Sequence, residues 1–275
     1  MFNTTVTVIG IQAIILFWSR ITMLNNEGRK TEQAYWEAAS QLPVKTRLPS
    51  RLNVSVLNLT RLLERHVKPG SRYIEIGCAP GKILAWVASV LKAEAAGLDY
   101  SEPGIAKCRV LFDALGLKVN LYHDDLFNHH LSPASFDVVT SFGVIEHFDD
   151  ARPVVQRHLD LVKPGGVALI AVPNYGGLYG LLQRWCDAPN LELHNLEIMN
   201  PCALTALVCS PAVGSARAYP FGAMSPWLVN FDKRLPRFVA KLVSLGVNAM
   251  GLLQPLTIKA LAPLLILEVR KDLAA

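Results

Sequence analysis

The chain has 275 residues, 51% of them apolar and 18% charged, which fits one α/β domain with an added cap better than two full domains and leaves some apolar surface exposed. Its formal charge of +5 is scattered rather than gathered into runs, which argues against a nucleic-acid partner. The five cysteines, odd in number and without a CxxC pair, argue against a disulfide framework and a zinc site and fit a reducing, cytoplasmic compartment.

The first apolar segment, Val6 to Trp18, is interrupted by Thr7, Gly10 and Gln12. It is too short to span a bilayer and lacks the basic flank and cleavage site of a signal peptide. Three readings stay open: a membrane-contacting helix, a helix packed on the domain, or an upstream extension with the natural start at Met23. The last is preferred because it leaves Asn25 to Gln33 as a polar leader.

From about Arg51, apolar strands alternate with amphipathic helices, the pattern of a mostly parallel sheet covered on both faces. A leading helix is predicted over Val54 to His66, a strand at Arg72 to Ile76, a glycine turn, a helix from Lys82 to Leu91, and a second strand at Ala95 to Leu98. Ser101 and Pro103 cap and open the next helix, which Gly116 stops. Strands follow at Lys118 to Tyr122, Phe136 to Thr140 and Val167 to Val172, the last entered through the turn Lys163-Pro164-Gly165-Gly166. The segment Asn174 to Met199 breaks the alternation. A helix at about Pro201 to Val208 and strands near Val213 to Tyr219 and Pro263 to Val269 complete a seven-stranded, doubly wound sheet.

Ligands of such sheets bind beyond the carboxyl ends of the strands. Strand one ends in Glu75-Ile76-Gly77-Cys78-Ala79-Pro80-Gly81, where small residues permit close backbone approach; alone, this is equally a bare tight turn. Strand two ends in Gly97-Leu98-Asp99, a carboxylate able to accept from a ribose diol, at the spacing of roughly twenty residues from the turn that dinucleotide sites use. Asp99 taken singly is a turn or cap residue. Strand three leads to Asp124-Asp125-Leu126, where a carboxylate could accept from an adenine amino group between Leu126 and Ile83, or form a solvated acidic turn.

These segments, with Phe136-Asp137-Val138-Val139, Val144-Ile145-Glu146-His147 and Leu161-Val162-Lys163-Pro164-Gly165-Gly166, resemble the ordered motifs of class I S-adenosylmethionine-dependent methyltransferases over about Asn53 to Asn174. The resemblance implies a Rossmann-like fold and S-adenosylmethionine as cofactor. It further implies that Glu75 contacts the methionine amino group, that Gly77 and Gly81 flank the methionyl chain, that Asp99 holds the ribose, and that Cys78, Ala79 and Tyr100 also belong to the cofactor site. Asp125 and Leu126 would read the adenine, and Ser141 and Phe142 would line the methyl end. Ala79 replaces the middle glycine of the usual E-x-G-x-G-x-G turn. On this basis 1–50 form an extension and leading helix, 51–174 the cofactor-binding core, 175–200 a cap insertion, and 201–275 the end of the sheet with an apolar-basic insertion at about 227–256.

Rival readings fare worse. A dinucleotide dehydrogenase wants G-x-G-x-x-G, which the turn does not supply. An RNA ribose methyltransferase of the heat-shock type needs a lysine after strand five, where Ala171-Val172-Pro173-Asn174 stands, and amino-methylating DNA enzymes carry N-P-P-Y where Thr140-Ser141-Phe142-Gly143 stands. A non-catalytic cofactor-binding subunit or sensor remains the alternative of a different class.

Methyl transfer needs little acid or base help, but a hydroxyl acceptor would profit from one, and His147 lies just past strand four. It is a candidate base, set against a structural role at the start of the next helix. His194 is a second candidate in the cap. Tyr175 and Tyr179, with Trp185, Phe221 and Trp227, offer flat walls for a small aromatic or isoprenoid-like acceptor, or form the cap's own core. The stretch Phe231 to Leu256 joins Lys233, Arg234, Arg237 and Lys241 to an apolar remainder, as in a helix resting on an anionic membrane or one packed on the cap.

Overall fold

A computed structural model describes residues 28–41, 43–210 and 212–273. Val6 to Trp18 and Met23, which carry the three readings of the N-terminus, lie outside them.

Five parallel strands, β1 (Arg72–Ile76), β2 (Glu94–Asp99), β3 (Asn120–His123), β4 (Phe136–Phe142) and β5 (Val162–Pro173), pair in the order β3-β2-β1-β4-β5, and β7 (Leu264–Lys271) and β6 (Val213–Phe221) extend the sheet antiparallel. The seven-stranded, mostly parallel sheet expected from the sequence is therefore present. Its two faces follow the period of two. Ile74, Ile76, Val139, Ile170 and Leu267 pack on one side and Tyr73, Val138, Leu169 and Ile266 on the other, all buried.

The helices are α1 (Gln33–Ala39), α2 (Val54–Leu63), α3 (Lys82–Trp86), α4 (Glu102–Leu115), α5 (Arg152–Leu161), α6 (Leu178–Glu192), α7 (Pro201–Thr205) and α8 (Arg237–Leu253). Local chemistry sets their ends. The Ser101 Oγ accepts from the Gly104 amide at 3.2 Å and Gly116 closes α4 with φ +63°. Four features depart from or add to the sequence reading. The helix after the glycine turn is α-helical only to Trp86 and continues as a π turn over Val87–Leu91. β5 begins before the Lys163–Gly166 turn, with a register shift against β4 absorbing the glycines. α8 starts only at Arg237, because Pro236 sets its first turn, and α6 kinks at Asp187, two residues before Pro189.

The strand order reverses between β1 and β4, so their carboxyl ends open a crevice, the place where ligands bind in such sheets.

Candidate active site

The crevice floor comes from β1 and β2. Gly77 leaves β1 with φ +68°, and a Cβ there would lie 2.7 Å from Val144 Cγ2, so only glycine keeps this part of the crevice open. The Leu98 carbonyl accepts from the Gly77 amide at 2.8 Å, which ties the turn to β2. Asp99 Oδ2 accepts from the Ala79 amide at 3.0 Å and Oδ1 from the Ser101 amide at 2.9 Å. Each oxygen keeps a second lone pair for a ligand hydroxyl. Burial pushes this carboxyl up from its ordinary range and the two amides pull it back.

The roof comes from a segment the sequence presented as a polar leader. The Lys30 amide donates to the His147 carbonyl at 2.8 Å, the Asp149 amide donates to the Gly28 carbonyl at 2.7 Å, and Arg29 forms an antiparallel bridge with Phe148. The Arg29 guanidinium reaches Asp125 Oδ2 at 2.5 Å and lies 5.1 Å from the Tyr100 ring centre and 5.3 Å from that of Phe148. α1 follows, anchored by Gln33 Nε2 donating to the Tyr100 carbonyl at 3.1 Å and by Trp36 Nε1 donating to Thr31 Oγ1 at 3.0 Å. Arg29, Thr31, Trp36 and Ser40 thus line a cleft of about 300 Å³ together with the sheet ends.

Of the residues singled out in the sequence, Gly77, Ala79, Asp99, Tyr100, Asp125, Leu126, Phe142 and His147 line this cleft. Cys78 and Gly81 do not: the Cys78 side chain packs beneath Gly97, and the Gly81 position faces Cys108 and Phe112 of α4. Glu75 and Ser141 sit behind the lining, buried. Ile83, expected to sandwich an adenine with Leu126, lines a second cavity instead; the flat groups that line the first cleft with Leu126 include Tyr100, Trp36, Phe142, Phe148 and the Arg29 plane.

That second cavity, about 460 Å³, lies on the other side of Phe142 and Gly143, which line both. Its walls include Val56 and Leu59 of α2, Ile83 of α3, Val172 of β5 and Trp227, with Asn53, Asn248 and Lys82 as polar groups. Tyr175 and Tyr179 line neither cavity. The Tyr175 hydroxyl donates to the Leu228 carbonyl at 3.0 Å and the Tyr179 hydroxyl to the Leu261 carbonyl at 3.1 Å, and both rings belong to a small core under the cap with Leu228 and Phe231. Of the two readings open for them, these contacts match packing within the cap and not a wall of either cavity. Phe221 likewise belongs to the sheet core, and only Trp227 of that aromatic set reaches a cavity.

Burial sets the electrostatics of the deepest groups. Glu75 is pushed up to about 8 by burial, with the Tyr73 hydroxyl partly offsetting it and Asp99 adding to it. Glu146 is also pushed up to about 8, again by burial. His147 falls to about 4 because burial and the adjacent His194 both oppose its charge. Its Nδ1 lies 2.8 Å from the Leu193 carbonyl. A neutral imidazole of such low basicity is a poor proton acceptor at neutral pH, which weakens the base role expected for it.

Residues 74–166 match the profile of a family described as a methyltransferase domain. Over 109 residues the chain is 35% identical to a Mycolicibacterium smegmatis protein named "Probable S-adenosylmethionine-dependent methyltransferase", covering 40% of each. It is 31% identical over 106 residues to a ubiquinone biosynthesis O-methyltransferase of Proteus mirabilis (38% of this chain, 43% of the relative), and 29% identical over 154 residues to one of Vibrio cholerae (54% and 60%). The chain therefore spans about two fifths to three fifths of these relatives. Among solved structures, it is similar to Haemonchus contortus phosphoethanolamine N-methyltransferase 2 (TM-score 0.55, 17% identity, 78% of this chain and 52% of that one). It is also similar to a Thermotoga maritima protein described as a "possible histamine N-methyltransferase" (TM-score 0.54, 14% identity, 80% and 90%). At these identities the structural likenesses speak to fold.

Proposed function

We propose that this chain, which belongs by its fold and by residues 74–166 to the class I S-adenosylmethionine-dependent methyltransferases, transfers a methyl group to a small apolar acceptor held in the second cavity. The observation that carries the reading is adjacency: Phe142 and Gly143 line both cavities, so the two adjoin there, and a donor methyl and an acceptor would come into direct contact at that junction.

S-adenosylmethionine fits the donor set of the cleft. Its bound form supplies an electrophilic methyl group. Asp99 has lone pairs for the ribose diol, Tyr100 and Arg29 supply flat partners, and Asp125 and Leu126 lie at the adenine end. Glu75 stands behind the glycine turn, where a ligand ammonium would favour its ionised form, and the cleft volume falls at the low end of the roughly 300–1,000 Å³ of ligand pockets. Arg29 and Trp36 cover the cleft and exclude water, and the rigid turn at Gly77 fixes position. Orientation and desolvation of this kind can supply most of the rate in an in-line displacement without a strong base.

The acceptor cavity is walled mainly by aliphatic and aromatic groups, which favours a lipid-soluble molecule. Ser244 and Asn248 of α8 and the neighbouring Trp227 lie at its edge. α8 is apolar on its outer side as well: Phe238, Leu242, Leu245 and Leu253 are exposed, Phe238 at 71% and Leu253 at 84%. On α6, Leu181 and Trp185 are also exposed, with the Arg234 guanidinium 5.6 Å from the Trp185 ring centre. Arg237 and Lys241 are exposed on α8 itself. Apolar anchors flanked by cations suit peripheral contact with an anionic membrane. No helix among the described residues is long and apolar enough to cross one. The relatives named ubiquinone biosynthesis O-methyltransferases support an oxygen of a quinone-like compound as the acceptor.

The test is transfer of labelled methyl from S-adenosylmethionine to organic-soluble extracts. Binding of S-adenosylhomocysteine without any transfer would favour the cofactor-binding subunit instead.

A further inference from the structure

Between the cleft and the cap lies a cluster that the reading above leaves idle. Glu146 follows β4, His147 is its neighbour, and His194 comes from the turn after α6; one donor atom from each lies within 4.8 Å of the others. Glu146 is 0% exposed, and neither carboxylate oxygen has a hydrogen-bond partner beyond the residue's own backbone amide. A buried carboxylate without further partners is costly and calls for a proton or a cation.

The two imidazoles are arranged to supply neutral ligand nitrogens. His147 Nδ1 lies 2.8 Å from the Leu193 carbonyl and His194 Nδ1 lies 2.8 Å from the Asn190 carbonyl. A carbonyl can only accept, so each Nδ1 carries the proton and each Nε2 presents a lone pair. Metal-ligating histidines are oriented by this same kind of bond. The turn is itself fixed to the Glu146 segment: the Asn195 amide donates to the Glu146 carbonyl at 2.6 Å, and Asn195 Nδ2 donates to the Phe148 and Asp149 carbonyls. Edge-on rings, Trp36 against His147 and Tyr175 against His194, hold the imidazoles from outside.

We propose that Glu146, His147 and His194 bind a divalent first-row transition ion, zinc foremost, with a ligand position left open. The set is two imidazoles and one carboxylate, a donor combination found in catalytic zinc sites that keep the fourth position free. Ligands at about 2.0–2.2 Å from zinc sit roughly 3.4 Å apart, so closing the cluster needs its widest separation to shrink by about 1.5 Å. His194 also lines a surface cavity with Asn195 and Glu197, an entry path for the ion, and His147 lines the cofactor cleft. An ion there would face the cofactor cleft, which His147 lines, and not the acceptor cavity, which none of the three residues lines. That the cleft holds a methyl donor rests on the methyl-transfer reading; ion binding does not.

The experiment is equilibrium dialysis of the metal-stripped full chain against Zn²⁺, with Co²⁺ absorption as a reporter of ligand geometry. The background is Cys202→Ser with Cys209→Ser, because those two exposed thiols could bind soft cations themselves. One ion per chain is expected, with an affinity at least about tenfold lower in E146Q and in H194A. Melting temperature and S-adenosylhomocysteine binding control for folding; if H194A does not fold, E146Q and H194N decide. Failure to reach one ion per chain, or equal affinity in parent and variants, would overturn the site and mean that Glu146 is simply held protonated. Either result can be had whether or not methyl transfer is ever detected.

Discussion

Arg29 closes over Asp125 from 96 residues away, its guanidinium at 2.5 Å from Oδ2 while its plane covers Tyr100. The pair ties the segment that carries Arg29 to the cleft residues Asp125 and Tyr100. R29A is therefore expected to weaken S-adenosylhomocysteine binding by on the order of fivefold, a modest effect because Asp125 remains partly exposed. R29K should recover little of it, since a point charge replaces a planar stacking group. Calorimetry on both variants checks this, and unchanged affinity in R29A would deny the roof a part in cofactor binding.

Asp99 has a stricter requirement. Both of its oxygens accept backbone amides, and D99N replaces one oxygen with a donor aimed at a donor. The expected outcome is a loss of about 1–3 kcal/mol in stability and loss of measurable S-adenosylhomocysteine binding at micromolar protein. Denaturant unfolding and calorimetry read the two effects separately.

Glu75 gives a pH signature. Its folded value, about 8, lies above that of an unfolded carboxylate because of burial, so the folded chain holds a proton that the unfolded chain releases. Stability from this group is fully present below about 4.5, declines as pH rises towards about 8, and is level beyond. E75Q should flatten that decline and raise the apo melting temperature near pH 8 by several degrees, about 2–4 °C per kcal/mol for a chain of this size. A ligand ammonium would favour the ionised form. S-adenosylhomocysteine binding at pH 7 is thus expected to release a proton and to tighten as pH rises to about 8, which calorimetry in buffers of different ionisation enthalpy measures.

The outer face of α8 yields a fourth expectation. The parent chain should float with anionic vesicles and less with neutral ones, and F238D combined with L242D should abolish flotation while leaving S-adenosylhomocysteine affinity intact. Equal recovery of parent and variant would remove the membrane reading.

Much of the fold could be read in the sequence because it is carried by local signals. The β-branched run from Phe136, the turn at Gly77 to Gly81, the cap at Ser101 and the stop at Gly116 each encode their element within a few residues. The cleft floor, Asp99 included, was visible for the same reason. The roof was not, because the partners of Arg29 and Lys30, namely Asp125, the Phe148 ring and the His147 carbonyl, are about a hundred residues away, and α1 is too short to show a period. Tyr175 and Tyr179 stayed open between two readings because an aromatic ring looks the same in sequence whether it walls a ligand or fills a cap; their hydroxyl bonds to the Leu228 and Leu261 carbonyls are long-range contacts that the sequence does not display. The pairing of Glu146 with His194 depends on the turn after α6, which the kink at Asp187 redirects.

The central claim is that a methyl group crosses at Phe142 and Gly143 to an acceptor in the α2–α8 cavity. Its most direct measurement is incubation of the parent chain and D99N with methyl-labelled S-adenosylmethionine and fractionated extracts. The account expects label in an organic-soluble small molecule, dependent on the parent chain and absent with D99N. Label in RNA, or no transfer into any fraction by a chain that binds S-adenosylhomocysteine, would contradict it.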